Sequence, residues 1–251
     1  ALADAGIGAH EVDLVVVATM TPDRATPQVA PLVAHRLGAL GAGAFDVAAA
    51  CTAWLSALAV AGAQLETGRA GCALVIGADV LSRVLDPTDR GTAALFGDGA
   101  GAAVLVAGDR GGRLGPVVLA SDGGDAELIT CDLGGTLAMD GHATFRRAVG
   151  AMSGAATRVC ERAGIGLEDV DLVVPHQANA RITAAVAERL GLPPERIADD
   201  IATTGNTSAA TLPIALSRAQ AAGRLPTAGG RVLLAAFGAG LTWGAALLEW
   251  A

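Results

Sequence analysis

Aromatic side chains make up only 3% of the 251 residues, and tyrosine is absent. Lys and Arg together number 17 against 25 Asp and Glu, which leaves a net charge of -8. With no basic run and no aromatics interleaved with basic residues, the chain lacks the electrostatic footprint of a protein that binds nucleic acid or an anionic membrane. Four cysteines, Cys51, Cys72, Cys131 and Cys160, lie scattered without CxxC spacing. A chain of this length needs no covalent staples, so they read as reduced thiols of a cytoplasmic protein, and no metal site is expected. The longest apolar run, Val232 to Leu248, is cut by Gly238, Gly240 and Gly244 and reads as two strands rather than a bilayer span. Ala1 is followed closely by Asp4 and Glu11 without a basic stretch, so no signal peptide is expected.

What is plentiful is small and apolar: 52% hydrophobic residues and 34 glycines, enough for a large core joined by tight turns. A repeat organises it. AGIGAHEVDLVV at Ala5–Val16 recurs as AGIGLEDVDLVV at Ala163–Val174, identical at nine of twelve positions with an offset of 158. At the same offset Leu74-Val75-Ile76 falls on Val232-Leu233-Leu234, and Cys51 falls three residues from Asn206. The chain therefore reads as two copies of one five-stranded α/β unit related by a pseudo-twofold axis, residues 1–108 and 109–251. Each copy alternates strands with helices, the pattern of parallel strands and crossover connections.

In the first copy, Val12–Thr19 is a strand buried on both faces, Pro27–Leu37 a helix, Ala44–Val47 a strand, and the helix opening at Cys51 runs to a stop at Gly68. A strand follows at Ala73–Gly77. Ala93–Phe96 and Gly101–Ala107 are expected to form a hairpin about Gly97-Asp98-Gly99-Ala100. That glycine run is no phosphate cradle, because a strand pattern and not a helix follows it. The second copy is expected to hold a strand at Val117–Ser121, a polar loop to about Asp140 and a long helix Ala143–Ala163. Strand Val170–Val174, helix Ile182–Leu190, loop Thr203–Thr207, helix Ala209–Gly223 and strands Val232–Ala236 and Trp243–Trp250 complete it. The roughly 50 residues before Ala163 have no counterpart ahead of Ala5, so the first copy reads as lacking its opening part.

Cys51 at a helix N-terminus is set up as a nucleophile. Unpaired N–H groups and the helix dipole there favour an anion, so its thiolate is expected to exceed the roughly 3% of a free cysteine at neutral pH. His176 ends the strand equivalent to Val12–Thr19, where the first copy has Ala18, and Asn206 lies in a loop the symmetry places near Cys51. Each alone has an ordinary structural explanation: a core cysteine, a loop histidine, a turn asparagine. Occurring together, they favour a site.

Ala49-Ala50-Cys51-Thr52, Pro175-His176-Gln177-Ala178-Asn179, Gly205-Asn206-Thr207-Ser208-Ala209-Ala210 and Phe237-Gly238-Ala239-Gly240-Leu241-Thr242-Trp243-Gly244 resemble, in order, the signatures of β-ketoacyl-acyl-carrier-protein synthase III, a thiolase-fold ketosynthase. The resemblance spans nearly the whole chain. It implies a layered α-β-α-β-α fold and a homodimer with no cofactor beyond its thioester substrates. Acyl-CoA would load Cys51, with the backbone N–H groups of Cys51 and Ala239 as oxyanion hole. Malonyl-acyl carrier protein would then lose CO2 while His176 and Asn206 hold the enolate. Trp54, Phe96 and Phe237 are the pocket-wall candidates. Two departures stand out, the absent opening segment, which carries some of the family's coenzyme A contacts, and a short loop at Asp122–Asp140. Two other readings remain at this stage: transfer of the Cys51 acyl group to an alcohol or amine, which would not need Asn206, and a silent partner subunit, which would not need Cys51.

Overall fold

The computed structural model describes residues 1–108 and 111–250. In chain order they form α1 (Leu2–Ala5), β1 (Leu14–Ala18), α2 (Val29–Leu37), β2 (Gly43–Val47), α3 (Ala53–Glu66), β3 (Cys72–Asp79), β4 (Gly99–Val106), β5 (Arg113–Ser121), β6 (Ile129–Cys131), β7 (Leu137–Met139) and α4 (Gly141–Ala163). Then come β8 (Leu172–Pro175), α5 (Ala180–Leu190), α6 (Ile201–Thr204), α7 (Thr211–Ala221), β9 (Arg231–Gly238) and β10 (Thr242–Glu249). Short 3-10 turns at Ala50–Thr52 and Ser208–Ala210 lead into α3 and α7.

One sheet has the order β2-β1-β3-β4 and the other β5-β10-β9-β8; β1, β2 and β3 are mutually parallel, as are β8 and β9. Strand β1 is buried throughout, and its alternate residues serve two cores. Leu14, Val16 and Ala18 join a central cluster with α3, α7 and the facing strands β8 and β9, while Val15 and Val17 meet α2 outside. In the second sheet Leu172 and Val174 face the same centre, and Val173 faces α4 and α5. Five layers result, with α3 and α7 in the middle. Outer helices are held by side chains at their heads: Asp46 of β2 accepts from Val29 N (2.8 Å) and Ala30 N (2.7 Å), Asp140 from Ala143 N (2.9 Å), and Asn179 from Ile182 N (3.0 Å).

The repeat is real in three dimensions, with one correction of register. Strand β1 lies between β2 and β3, whereas its counterpart β8 is the last strand of its sheet, but the turns before α3 and α7 match at an offset of 158, each starting with a left-handed non-glycine residue, Ala50 (φ 45) and Ser208 (φ 50). Strand β9, however, is offset from β3 by 159. Leu14 pairs with Ala73, but its counterpart Leu172 pairs with Val232. The same shift shows where Asp13 N donates to Cys72 O (2.9 Å) and Asp171 N to Arg231 O (3.0 Å). Hydrophobic pattern alone cannot fix register along runs buried on both faces, since every position is apolar.

Neither half is a full five-stranded unit. In the second, the place of β2 is reduced to one bridge, Ile197 to Val173. In the first, the outer edge of β4 pairs with no strand among the described residues, whereas β5 covers that edge of β10. The proposed boundary between 108 and 109 touches residues 109 and 110, which lie outside the described residues. The loop to Asp140 contains the small hairpin β6–β7, and Thr203 and Thr204, the start of the expected loop Thr203–Thr207, belong to the helical turn α6.

The expected hairpin about Gly97-Asp98-Gly99-Ala100 does not form. Residues 93–95 are in no strand, Phe96 makes a single bridge to Asn206, and β4 pairs instead with β3. The glycines serve closeness. A Cβ on Gly97 would stand 2.2 Å from Thr204 O, and one on Gly101 2.9 Å from Ile214 N, so α7 and the loop before it lie directly on the strand. Gly101→Val should therefore cost about 1–3 kcal/mol by overpacking, read as a lower urea midpoint with the same slope. An unchanged midpoint would show that the contact can relax.

Candidate active site

Chain direction brings the site together. The carboxyl ends of β1, β3, β8 and β9 and the heads of α3 and α7 face one another across the central layer, the place where parallel α/β sheets present polar groups. Cys51 is the second residue of its 3-10 turn. Thr52 Oγ1 lies 2.8 Å from both Ala49 O and Thr242 Oγ1, and the Thr242 hydroxyl donates to Ala239 O (3.0 Å), which ties the cysteine turn to the β9–β10 turn. Between them Gly238 is indispensable: a Cβ there would stand 2.8 Å from Cys51 N and 2.9 Å from Cys51 Cβ. Among the described residues neither Cys51 N–H nor Ala239 N–H donates a hydrogen bond. Two adjacent backbone donors are thus free to receive an oxygen.

The thiol is not the activated group its position suggests. Burial pushes Cys51 up to about 12, Asp79 adds to the rise, and only Ser208 and the cysteine's own backbone pull the other way. The Ser208 hydroxyl nevertheless makes no hydrogen bond of normal geometry. The partial charge of one short turn does not offset removal from water. Burial also raises Cys72, Cys131 and, to about 11, Cys160.

His176 follows β8 and is 1% exposed; its N–H donates to Ala235 O (2.7 Å), which fixes it beside β9. Desolvation lowers the imidazole to about 4, so it is neutral at physiological pH, and its Nδ1 is buried without a partner. Gln177, also buried, donates Nε2 to Pro175 O and Ala198 O (both 3.0 Å) and accepts from Asp200 N (3.2 Å), which locks the histidine loop. Asn206 is held as a strand residue would be, its N donating to Leu95 O and its O accepting from Gly97 N (2.9 Å each). Its Oδ1 accepts Ser208 N–H at 2.9 Å, the turn contact expected of an asparagine in this position. With the oxygen engaged, Nδ2 makes no hydrogen bond among the described residues and remains a donor to spare.

Of the pocket candidates, Phe96 is brought to Asn206 by its bridge. Phe237 precedes Gly238 and packs in the cluster under α4 and α5. Trp54 is a core residue, 1% exposed, with Nε1 donating to Val75 O (3.3 Å). It borders a cleft of about 760 Å³ along the free edge of β4, with Leu105, Leu114 and Trp250, and that cleft contains none of Cys51, His176 and Asn206. Sequence reasoning missed Asp79 and Ser208. Asp79 ends an apolar strand with no motif around it, and Ser208 hides inside the asparagine motif. Among the described residues no cluster of His, Cys, Asp or Glu could hold a metal, and no helix is long and apolar enough to cross a membrane.

A duplicated α/β unit closed around two shared helices is the thiolase fold, and this chain is an acyltransferase of that class. Models for 3-oxoacyl-[acyl-carrier-protein] synthase III match residues 45–123, and for its C-terminal part residues 160–250. The β-ketoacyl-[acyl-carrier-protein] synthase III 3 of Streptomyces coelicolor is 48% identical over 267 residues, covering 100% of this chain and 79% of that protein. The crystal structure of the Pseudomonas aeruginosa synthase III superimposes with a TM-score of 0.94 at 48% identity, over 100% of this chain and 80% of that one. A priming β-ketosynthase of a polyketide pathway gives 0.93 at 40% identity, over 99% and 78%. The chain belongs to the β-ketoacyl-acyl-carrier-protein synthase III family.

Two outcomes follow from the electrostatics. His176 titrates at about 4 when folded against 6.5 when free, so the unfolded chain takes up the proton first. Stability is then full above about pH 6.5 and is lost as pH falls toward 4; on this account the protein should be about 2 kcal/mol less stable at about pH 5 than at about pH 8. Urea titrations should show that difference shrinking in His176→Gln, and equal pH dependence in both proteins would contradict a buried neutral imidazole. Alkylation of Cys51 by iodoacetamide should be slow at neutral pH and climb about tenfold per pH unit to at least about pH 10. A plateau below about pH 8 would reveal a thiolate stabilised after all.

Proposed function

We propose that this chain carries out a decarboxylating Claisen condensation between an acyl-CoA starter and malonyl-acyl carrier protein, in fatty-acid initiation or polyketide priming. The observation that carries it is the set of uncommitted donors around one cysteine: the N–H groups of Cys51 and Ala239 and the Asn206 Nδ2. In the first half-reaction the Cys51 sulfur attacks the acyl carbonyl while the neutral imidazole of His176 takes the thiol proton. The two backbone N–H groups hold the oxyanion, and the departing coenzyme A thiolate receives the proton. In the second, the malonyl carboxylate leaves as CO2, its bonding electrons forming an enolate whose oxygen accepts hydrogen bonds from His176 and Asn206. The enolate carbon attacks the acyl-Cys51 carbonyl, a C–C bond forms, the C–S bond breaks, Cys51 leaves as a thiolate that takes up a proton from solvent, and the β-ketoacyl product stays on the carrier. Decarboxylation itself supplies the carbanion, so the chemistry calls for no resident cofactor. Family membership supports a homodimer, and the free cysteines suit the cytoplasm.

The half-reactions separate by mutation. Given labelled acyl-CoA, Cys51→Ala should take up no label. Asn206→Ala should load normally but release CO2 about 10²–10³ times more slowly, the loss typical of one oxyanion donor. Labelling followed by transfer to an alcohol or amine, with no CO2 released by the wild type, would replace condensation by simple acyl transfer.

A further inference from the structure

The two matching turns put Cys51 and Ala209 in the same place in their halves, and opposite each stands the last residue of a strand: Gly238 closing β9 and Asp79 closing β3. At Gly238 there is no side chain, and Cys51 N–H is left open. At Asp79 there is a carboxylate, 1% exposed, whose Oδ2 accepts from Ala209 N (3.0 Å). Its Oδ1 accepts from Thr19 Oγ1 (3.0 Å), Met20 N (2.8 Å) and Thr21 Oγ1 (3.1 Å). One half thus fills with an internal anion the position that the other half keeps vacant over the nucleophile. Four donors compensate the buried charge.

We propose that Asp79 is a positioning residue that clamps the Asn206–Ala209 turn to the first sheet and so fixes the direction in which Asn206 presents Nδ2. This rests on the condensing reaction proposed above. The linkage is short: Asn206 Oδ1 holds Ser208 N–H at 2.9 Å, and the next N–H along, Ala209, is the one Asp79 holds. No other described side chain accepts from Ala209 N. The clamp has a cost at the cysteine, because the same negative charge opposes ionisation of the thiol.

These opposed effects give the test. In Asp79→Asn the amide oxygen can still serve Met20 and the two threonines, but the NH2 then faces Ala209 N–H, donor against donor. CO2 release from malonyl-acyl carrier protein should fall about tenfold, while alkylation of Cys51 at about pH 8 should rise about threefold as a like charge disappears. A residue that merely supports the fold would lower both. Unchanged CO2 release, or both rates falling together in a folded protein, overturns the proposal. Should Asp79→Asn fail to fold, Thr19→Val removes one donor from Oδ1, with CO2 release expected to fall about threefold and alkylation to stay constant; any other pair of results counts against the clamp. Should the wild type release no CO2 at all, the functional reading fails by itself, and hydrogen exchange at Ala209 N–H still decides. It should be slow in the wild type and at least about tenfold faster in Asp79→Asn, and equal exchange overturns the clamp.

Discussion

Two helices sandwiched between two sheets can touch both only if the faces they offer are small. That constraint governs this molecule. Ala53, Ala57, Ala61 and Gly62 of α3 and Ala215 and Ala219 of α7 are buried in the central layer, Gly101 lets the α7 backbone lie against β4, and Gly97 and Gly99 leave room for Thr204, Thr207 and the Ile214 side chain. A larger residue at any of these points would part the layers. Because the layers are close, the heads of the two helices and the ends of the strands that face them converge, and groups from distant parts of the chain meet with almost no flexible connection between them.

Symmetry explains how such a meeting place becomes asymmetric enough for chemistry. The frame repeats faithfully: the capped glycines Gly6 and Gly164 in left-handed conformation, the aspartates that tether neighbouring strands, the left-handed Ala50 and Ser208. Function resides where the copies differ. Ala209 stands where Cys51 does, Gly238 where Asp79 does, and the carboxylate of one copy has no equivalent in the other. Most of the polar groups at the centre are locked by partners; those left without one among the described residues include the N–H groups of Cys51 and Ala239, His176 Nδ1, Asn206 Nδ2 and the Ser208 hydroxyl.

The repeat and the order of elements were legible because β1 and its counterpart carry nearly identical sequence and because strands buried on both faces announce themselves as unbroken aliphatic runs. The family motifs were legible for the same reason that the loops carrying them are: Gly205-Asn206-Thr207-Ser208 and Phe237-Gly238-Ala239-Gly240 combine turn chemistry with polar groups that no core requires. Four things were not. The slip of one residue between β3 and β9 leaves no trace in composition. The glycines before β4 look like a turn in sequence, and only the presence of α7 reveals them as a contact surface. Local sequence places Cys51 at a helix head and so suggests an acidic thiol, but its desolvation is a property of the layers closing over it. Asp79 was invisible because its partners, Thr19, Met20, Thr21 and Ala209, are spread over both halves of the chain.

The protonated resting state of the half-buried Cys51 thiol has a bearing on durability. Peroxides and disulfides react with thiolates, and a thiol held near 12 has almost none at the pH of a cell. A thiol that rests in the neutral form offers an oxidant little thiolate and so forms sulfenic acid slowly. The desolvation that makes the cysteine sluggish toward small electrophiles slows its oxidation by the same physics.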